Sequence, residues 1–188
     1  MECITKPFVQ NDPRGVKSTS KMFRALGTIN TIQAFDAACT EALERASQRV
    51  LELDDKLSAF KPESEIARLN AQAGRTAVSV SADTMAPLMA GRAYSAETGG
   101  AFSMTTRPLT MLWLLNASCG TVPDRTEIER ALLLVNDEDL QLDPKRGTAM
   151  LVHQEQAVDL GGIAKGYAAD EVKRILMEHG VMNAIARS

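Results

Sequence analysis

The chain has 188 residues, 45% of them hydrophobic and 24% charged, with a formal net charge of −3. That length closes a hydrophobic core, and no stretch approaches the ~18 uninterrupted apolar residues of a membrane span. Lys and Arg are dispersed and aromatics reach only 4%, which excludes a nucleic-acid binder built on a basic stripe or a base-stacking platform.

Residues 1–21 carry charges, Pro7 and Pro13 but no apolar segment of the kind a secretion signal needs. They are expected to form a flexible lead-in to one domain spanning 22–188, and the chain as written reads as cytoplasmic. Phe23–Phe35 is rich in β-branched and apolar residues, broken by Gly27, and predicts a strand. Cys39, Ala42, Leu43, Ala46, Val50, Leu53 and Leu57 then recur at spacings of three and four, one apolar helical face. Ser64 is placed to cap a short helix carrying Ile66 and Leu69, and Thr76–Val80 predicts a brief strand. Met85, Leu88, Met89, Ala93 and Ala96 form a second stripe that stops at Gly99–Gly100, its methionines read as core fillers.

Asp124 followed by Glu127 has the spacing of a capping box opening a further helix with Ile128, Ala131, Leu132 and Val135. Leu140–Asp143 and Thr148–His153 flank a Pro-Gly turn and predict a hairpin. A last helix carries Ala164, Tyr167, Ala168, Val172, Ile175 and Leu176 and stops at Gly180. The mixture predicts an α+β fold, with mixed or antiparallel strands packed against about four to five helices.

Three segments offer chemistry. Val158-Asp159-Leu160-Gly161-Gly162-Ile163-Ala164-Lys165-Gly166-Tyr167 ends a strand in an acid, turns on two glycines and opens a helix with a lysine. Glycine backbone N–H groups and a helix N-terminus suit an anion, and Lys165 adds a full charge; a plain Gly-rich turn with a solvated lysine is the competing reading. Thr98 to Leu109, with Gly99, Gly100, Phe102 and several hydroxyls, leads to Leu112-Trp113. Exposed glycine backbone beside Phe102 suits a heterocycle, while a helix C-cap followed by a buried strand, with Trp113 in the core, is the alternative. Leu57 to Asn70 joins a helix exit, Phe60, Pro62 and a capped helix into one wall of a cleft, or into a simple helix–turn–helix connection. No Ser or Cys lies near His153 or His179 in sequence, which argues against a triad. Cys3, Cys39 and Cys119 form neither a disulfide framework nor a zinc pattern, so any metal would be a hard ion on oxygen ligands.

In order, four segments resemble the FAD:protein FMN transferase family. Leu26-Gly27-Thr28 matches its Met-Gly-Thr strand, and Ser58–Asn70 matches a Ser-x-Tyr/Phe-x-x-x-Ser-Glu-[apolar]-x-x-[apolar]-Asn segment. Gly100–Trp113 matches Gly-Ala-Phe-Asp-[apolar]-Thr followed by Pro-Leu and Leu-Trp, and Asp159–Asp170 matches Asp-Leu-Gly/Ser-[small]-Ile-Ala-Lys-Gly-Tyr-[small]-x-Asp. The resemblance implies magnesium-dependent transfer of FMN from FAD, through a phosphoester, to a Thr or Ser of a partner flavoprotein. It implies that Leu26, Phe60, Ala101, Phe102, Ser103 and Asp159 contact FAD and that the Gly162 carbonyl is a magnesium ligand. From its place in the motif, Lys165 is assigned to phosphate neutralisation and joins Asp159 as the catalytic pair.

Two departures stand out. Leu26 replaces Met, an apolar swap, and Ser103 replaces Asp, which removes a carboxylate. Family members continue past the position of Ser188 into a Gly-Gly-Asp/Asn segment and an Asp and Thr/Ser that complete the magnesium site. The chain is therefore expected to be incomplete relative to the family fold, with weak turnover, an incomplete metal shell and apolar sheet edges that favour a homo-oligomer. The alternative is a non-catalytic FAD-binding module or an inactive fragment. The family is usually exported and membrane-anchored.

Overall fold

The computed structural model describes residues 6–11, 17–36 and 39–188, with backbone alone for Gln10 and Asn11. Cys3 and the lead-in positions 1–5 and 12–16 lie outside the described residues. In chain order the elements are β1 (Phe8–Asn11), β2 (Lys17–Ala25), β3 (Thr28–Ala34), α1 (Thr40–Leu57), α2 (Glu65–Ala71), β4 (Val78–Ser79), α3 (Ala82–Glu97), α4 (Arg107–Ser118) and α5 (Arg125–Leu132). A 3₁₀ turn (Asp137–Asp139), β5 (Leu140–Asp143), β6 (Thr148–Leu151), α6 (Ala164–Glu178) and β7 (Ala184–Arg187) follow. The expected α+β class is the observed one, with every strand pairing antiparallel. The chain divides into two compact units, 1–54 with 164–188, and 55–163.

The first unit holds a sheet of order β1-β2-β3-β7. Part of the expected lead-in is therefore strand, Phe8–Asn11 and the start of β2. The sequence concealed this because buried positions at its start are polar: Ser18, Ser20 and Lys21 are buried, and Lys21 pairs with Glu44 of α1. The single strand expected over Phe23–Phe35 is instead the end of β2, a turn and β3. Ala25 pairs with Thr28, and the two residues between them, Leu26 and Gly27, both have positive φ, 53° and 74°. That pair of angles makes the tight turn whose twist matches a right-handed hairpin. A leucine in the left-handed region costs about 1–2 kcal/mol. It is held there by its N–H, which donates to Asp54 Oδ1 at 2.9 Å.

The predicted apolar face of α1 is buried, from Cys39 through Leu43, Ala46, Val50 and Leu53. In α6 the expected stripe is buried at Ala164, Ala168, Val172, Ile175 and Leu176, while Tyr167 is only half-buried. Arg49 of α1 donates to Glu171 of α6 at 2.9 Å, and Arg174 donates to both oxygens of the same carboxylate at 3.1 Å. The Arg174 hydrogen bonds first, then Arg49, hold the Glu171 carboxyl below its usual 4.5. A folded-state pKa below the unfolded one stabilises above the unfolded value and is lost as pH falls through the folded one. Glu171→Gln should therefore be less stable than the parent at pH 7, with the gap closing below pH 4.5. Urea titrations of both proteins across that range check it; a gap independent of pH would refute it.

The second unit holds a sheet of order β4-β6-β5 with α2, α3, α4 and α5. Ser64 caps α2 by accepting from the Ala67 N–H at 2.9 Å, and Asp124 with Glu127 forms the capping box of α5. The hairpin predicted over Leu140–His153 is β5 and β6, with Leu140 opposite Leu151, both fully buried. Helix α4 was not foreseen. Pro108 sits in its first turn, where a missing N–H costs nothing, and that position starts a helix rather than a strand. Its side chains are largely exposed, and Trp113, expected in the core, is 45% exposed.

Candidate functional site

Within the second unit the three segments singled out by sequence meet. The 98–105 stretch leaves α3 through Gly99 and Gly100, both with positive φ, and the Phe102 N–H donates to Thr98 Oγ1 at 3.0 Å. That turn aims the Phe102 ring edge-on at Tyr94, with centroids 6.4 Å apart, and onto Gly162. A Cβ built on Gly162 would lie 2.9 Å from a Phe102 ring carbon, so the absence of a side chain there is what lets the two segments touch. Asp159 is tied to the same stretch through its N–H, which donates to the Met104 carbonyl at 2.9 Å.

Asp159 is also fixed at its carboxylate. Oδ1 accepts from the Gly161 N–H at 2.7 Å, and Oδ2 accepts from Arg107 at 3.1 Å. Arg107, at the start of α4, donates its other terminal nitrogen to the Ala59 carbonyl at 3.0 Å. Its guanidinium carbon stands 4.4 Å from the centre of the Phe60 ring, a stacking cation. One arginine thus joins all three segments, although sequence reasoning assigned it no role. Nothing in its local sequence marks it; only the fold brings Asp159 and Phe60 to it.

Asn70 joins the first segment to the third. Its amide donates to the Val158 carbonyl at 2.9 Å, and its oxygen accepts from the Val158 N–H at 2.7 Å. Side-chain amides used in this way replace a missing strand partner. Phe60 itself is 69% exposed, and Phe102 is half-buried. An aromatic left in water beside a fixed ion pair is suited to cover the face of a planar ligand.

Ser103 differs from its expected surroundings. Its hydroxyl donates to the buried carboxylate of Asp137 at 2.7 Å. The carboxylate that Ser103 lacks is therefore present beside it, brought by another element. Ala101 is exposed on the same turn.

Leu26 and Lys165 belong to the first unit, where both line a hollow with Phe23, Ile32, Val50 and Arg187. Lys165 is exposed in the first turn of α6. The other expected site residues, Phe60, Ala101, Phe102, Ser103, Asp159 and Gly162, all belong to the second unit. Among the described residues no group of three or more His, Cys, Asp or Glu could hold a metal ion. The donor set around Gly162 does not fit a magnesium ion by itself.

Residues 26–187 match the model of the ApbE family. The chain belongs to the ApbE family. A Klebsiella pneumoniae relative named FAD:protein FMN transferase is 32% identical over 146 residues, covering 77% of this chain and 46% of that protein. A Treponema pallidum relative of the same name is 27% identical over 179 residues, covering 90% and 49%. The crystal structure of the ApbE protein from Thermotoga maritima superposes with a TM-score of 0.79 at 27% identity, over 96% of this chain and 56% of that one. This ApbE-family chain spans about half the length of the curated relatives it matches.

Proposed function

We propose that this chain carries the flavin-binding part of an enzyme that moves FMN from FAD to a Thr or Ser hydroxyl of an acceptor flavoprotein. In that reaction the acceptor oxygen bonds to the FMN phosphorus and the P–O bond to the AMP half breaks. AMP departs with the bridging oxygen, and the hydroxyl proton passes to solvent. Such transfers depend on positioning and charge stabilisation more than on covalent help from the protein. The observation that carries the reading is the assembly of the three segments on Arg107, with Asp159, Phe60, Phe102 and Gly162 fixed in one unit. Family membership and the names of the curated relatives support it.

In this reading Phe60 and Phe102 supply apolar faces to FAD rings. The backbone at Ala101, Phe102 and Ser103 and the Asp159 carboxylate take its polar groups. Magnesium is supplied in the assay. The test incubates the chain with FAD, magnesium and a peptide bearing the acceptor Thr, and weighs the peptide. A mass gain equal to FMN less one water supports transfer. FAD binding without that gain favours a binding module, and absence of FAD binding refutes both.

A further inference from the structure

The 3₁₀ turn at Asp137–Asp139 carries three acids in a row, Asp137, Glu138 and Asp139. The first of them is withdrawn from water: Asp137 is 5% exposed. Its Oδ1 accepts from the Ser103 hydroxyl at 2.7 Å, the Thr105 hydroxyl at 2.8 Å and the Thr105 N–H at 3.0 Å. The Met104 N–H donates to both oxygens, at 3.1 and 3.0 Å. A buried carboxylate is costly unless its oxygens are filled by donors, and here neutral donors from three consecutive residues fill them. Those residues cannot leave without stranding the charge. The stretch they belong to carries Phe102 on one side, and its Met104 carbonyl receives the Asp159 N–H on the other.

We infer that Asp137 is a positioning residue for the candidate flavin site: its carboxylate locks residues 103–105, and through them sets the Phe102 ring and the Asp159 backbone. The inference rests on the flavin-binding reading above for its ligand, and on geometry alone for the lock. Asp137 touches neither Phe60 nor Arg107 through any hydrogen bond, so its effect on a ligand passes through the 103–105 turn.

The test compares Asp137→Ala and the isosteric Asp137→Asn with Leu151→Ala, which opens the core of the same unit at a fully buried position of β6. Amide hydrogen exchange is read at Met104, Thr105 and Asp159, and FAD affinity is read by flavin fluorescence, both well below each variant's melting temperature. Asp137→Ala should speed exchange at these amides at least tenfold and weaken FAD binding at least tenfold. Asp137→Asn, which keeps one acceptor oxygen but no charge, should fall between it and the parent. Leu151→Ala should leave both readouts near the parent even with a lower melting temperature. Parent-like protection of the three amides in Asp137→Ala, or equal loss of protection in Leu151→Ala, overturns the inference. If the parent chain itself fails to bind FAD, the proposed function falls while the exchange data still decide the lock.

Discussion

Replacing Asn70 with alanine should lower the stability of the second unit by about 2–3 kcal/mol and its melting temperature by about 4–12 °C. Both hydrogen bonds from the Asn70 side chain end on the main chain of Val158, a fully buried residue. An alanine leaves a donor and an acceptor there without partners, and each unsatisfied group costs about 1–3 kcal/mol, less where water reaches it. Asn70 is itself half-buried, which sets the estimate toward the lower end. Asn70→Asp gives a sharper test, because a carboxylate accepts from the Val158 N–H but repels the Val158 carbonyl. At pH 7 it should be no more stable than Asn70→Ala, and it should exceed the alanine variant once acid supplies the missing proton. Differential scanning calorimetry of the three proteins at pH 7 and in mild acid reads both effects. An alanine variant melting with the parent would show that the clamp contributes nothing.

Arg107→Ala should weaken FAD binding about 30-fold, the equivalent of about 2 kcal/mol. The substitution removes a charge-assisted bond to Asp159, a bond to the Ala59 carbonyl and the cation over Phe60. Charge-assisted bonds contribute about 1.5–3 kcal/mol and an exposed cation–ring contact about 0.5–1, discounted here because the Asp159 side chain is 28% exposed. Arg107→Lys keeps the charge but has one nitrogen where the guanidinium uses two, so it should recover only part of the loss. Fluorescence titration of FAD decides between them. A lysine variant equal to the parent would show that charge alone matters, and an alanine variant equal to the parent would remove Arg107 from the site.

The periodic elements were legible because their burial is apolar. The stripes of α1 and α6 and the caps of α2 and α5 follow from spacing and cap chemistry, whereas the stripe expected for α3 holds only at Met85 and Leu88, with Met89, Ala93 and Ala96 exposed and Thr84, Pro87 and Gly91 buried in their place. What sequence missed is polar or exposed where the rule expects otherwise. The start of β2 buries two serines and a lysine, α4 exposes its apolar residues, and the Leu26 turn holds a leucine where glycine or asparagine is usual. The same holds at the candidate site. Phe60, Phe102, Asp159 and Gly162 lie in recognisable motifs, and so does Asn70. Arg107 and Asp137 act through partners 52 and 32–34 positions away, a relation that no local pattern carries.

Both oxygens of Asp159 are already engaged, one by Gly161 and the other by Arg107. A molecule that approaches this acid with a hydroxyl or an amine therefore enters as a competitor. It must share an oxygen that already has a donor, or turn the guanidinium aside, and its net gain is the difference between the old partner and the new. Selectivity at such a position follows from replacement: only a newcomer that also gives the released arginine an anion to face comes out ahead. A diphosphate does so, whereas a bare nucleoside does not.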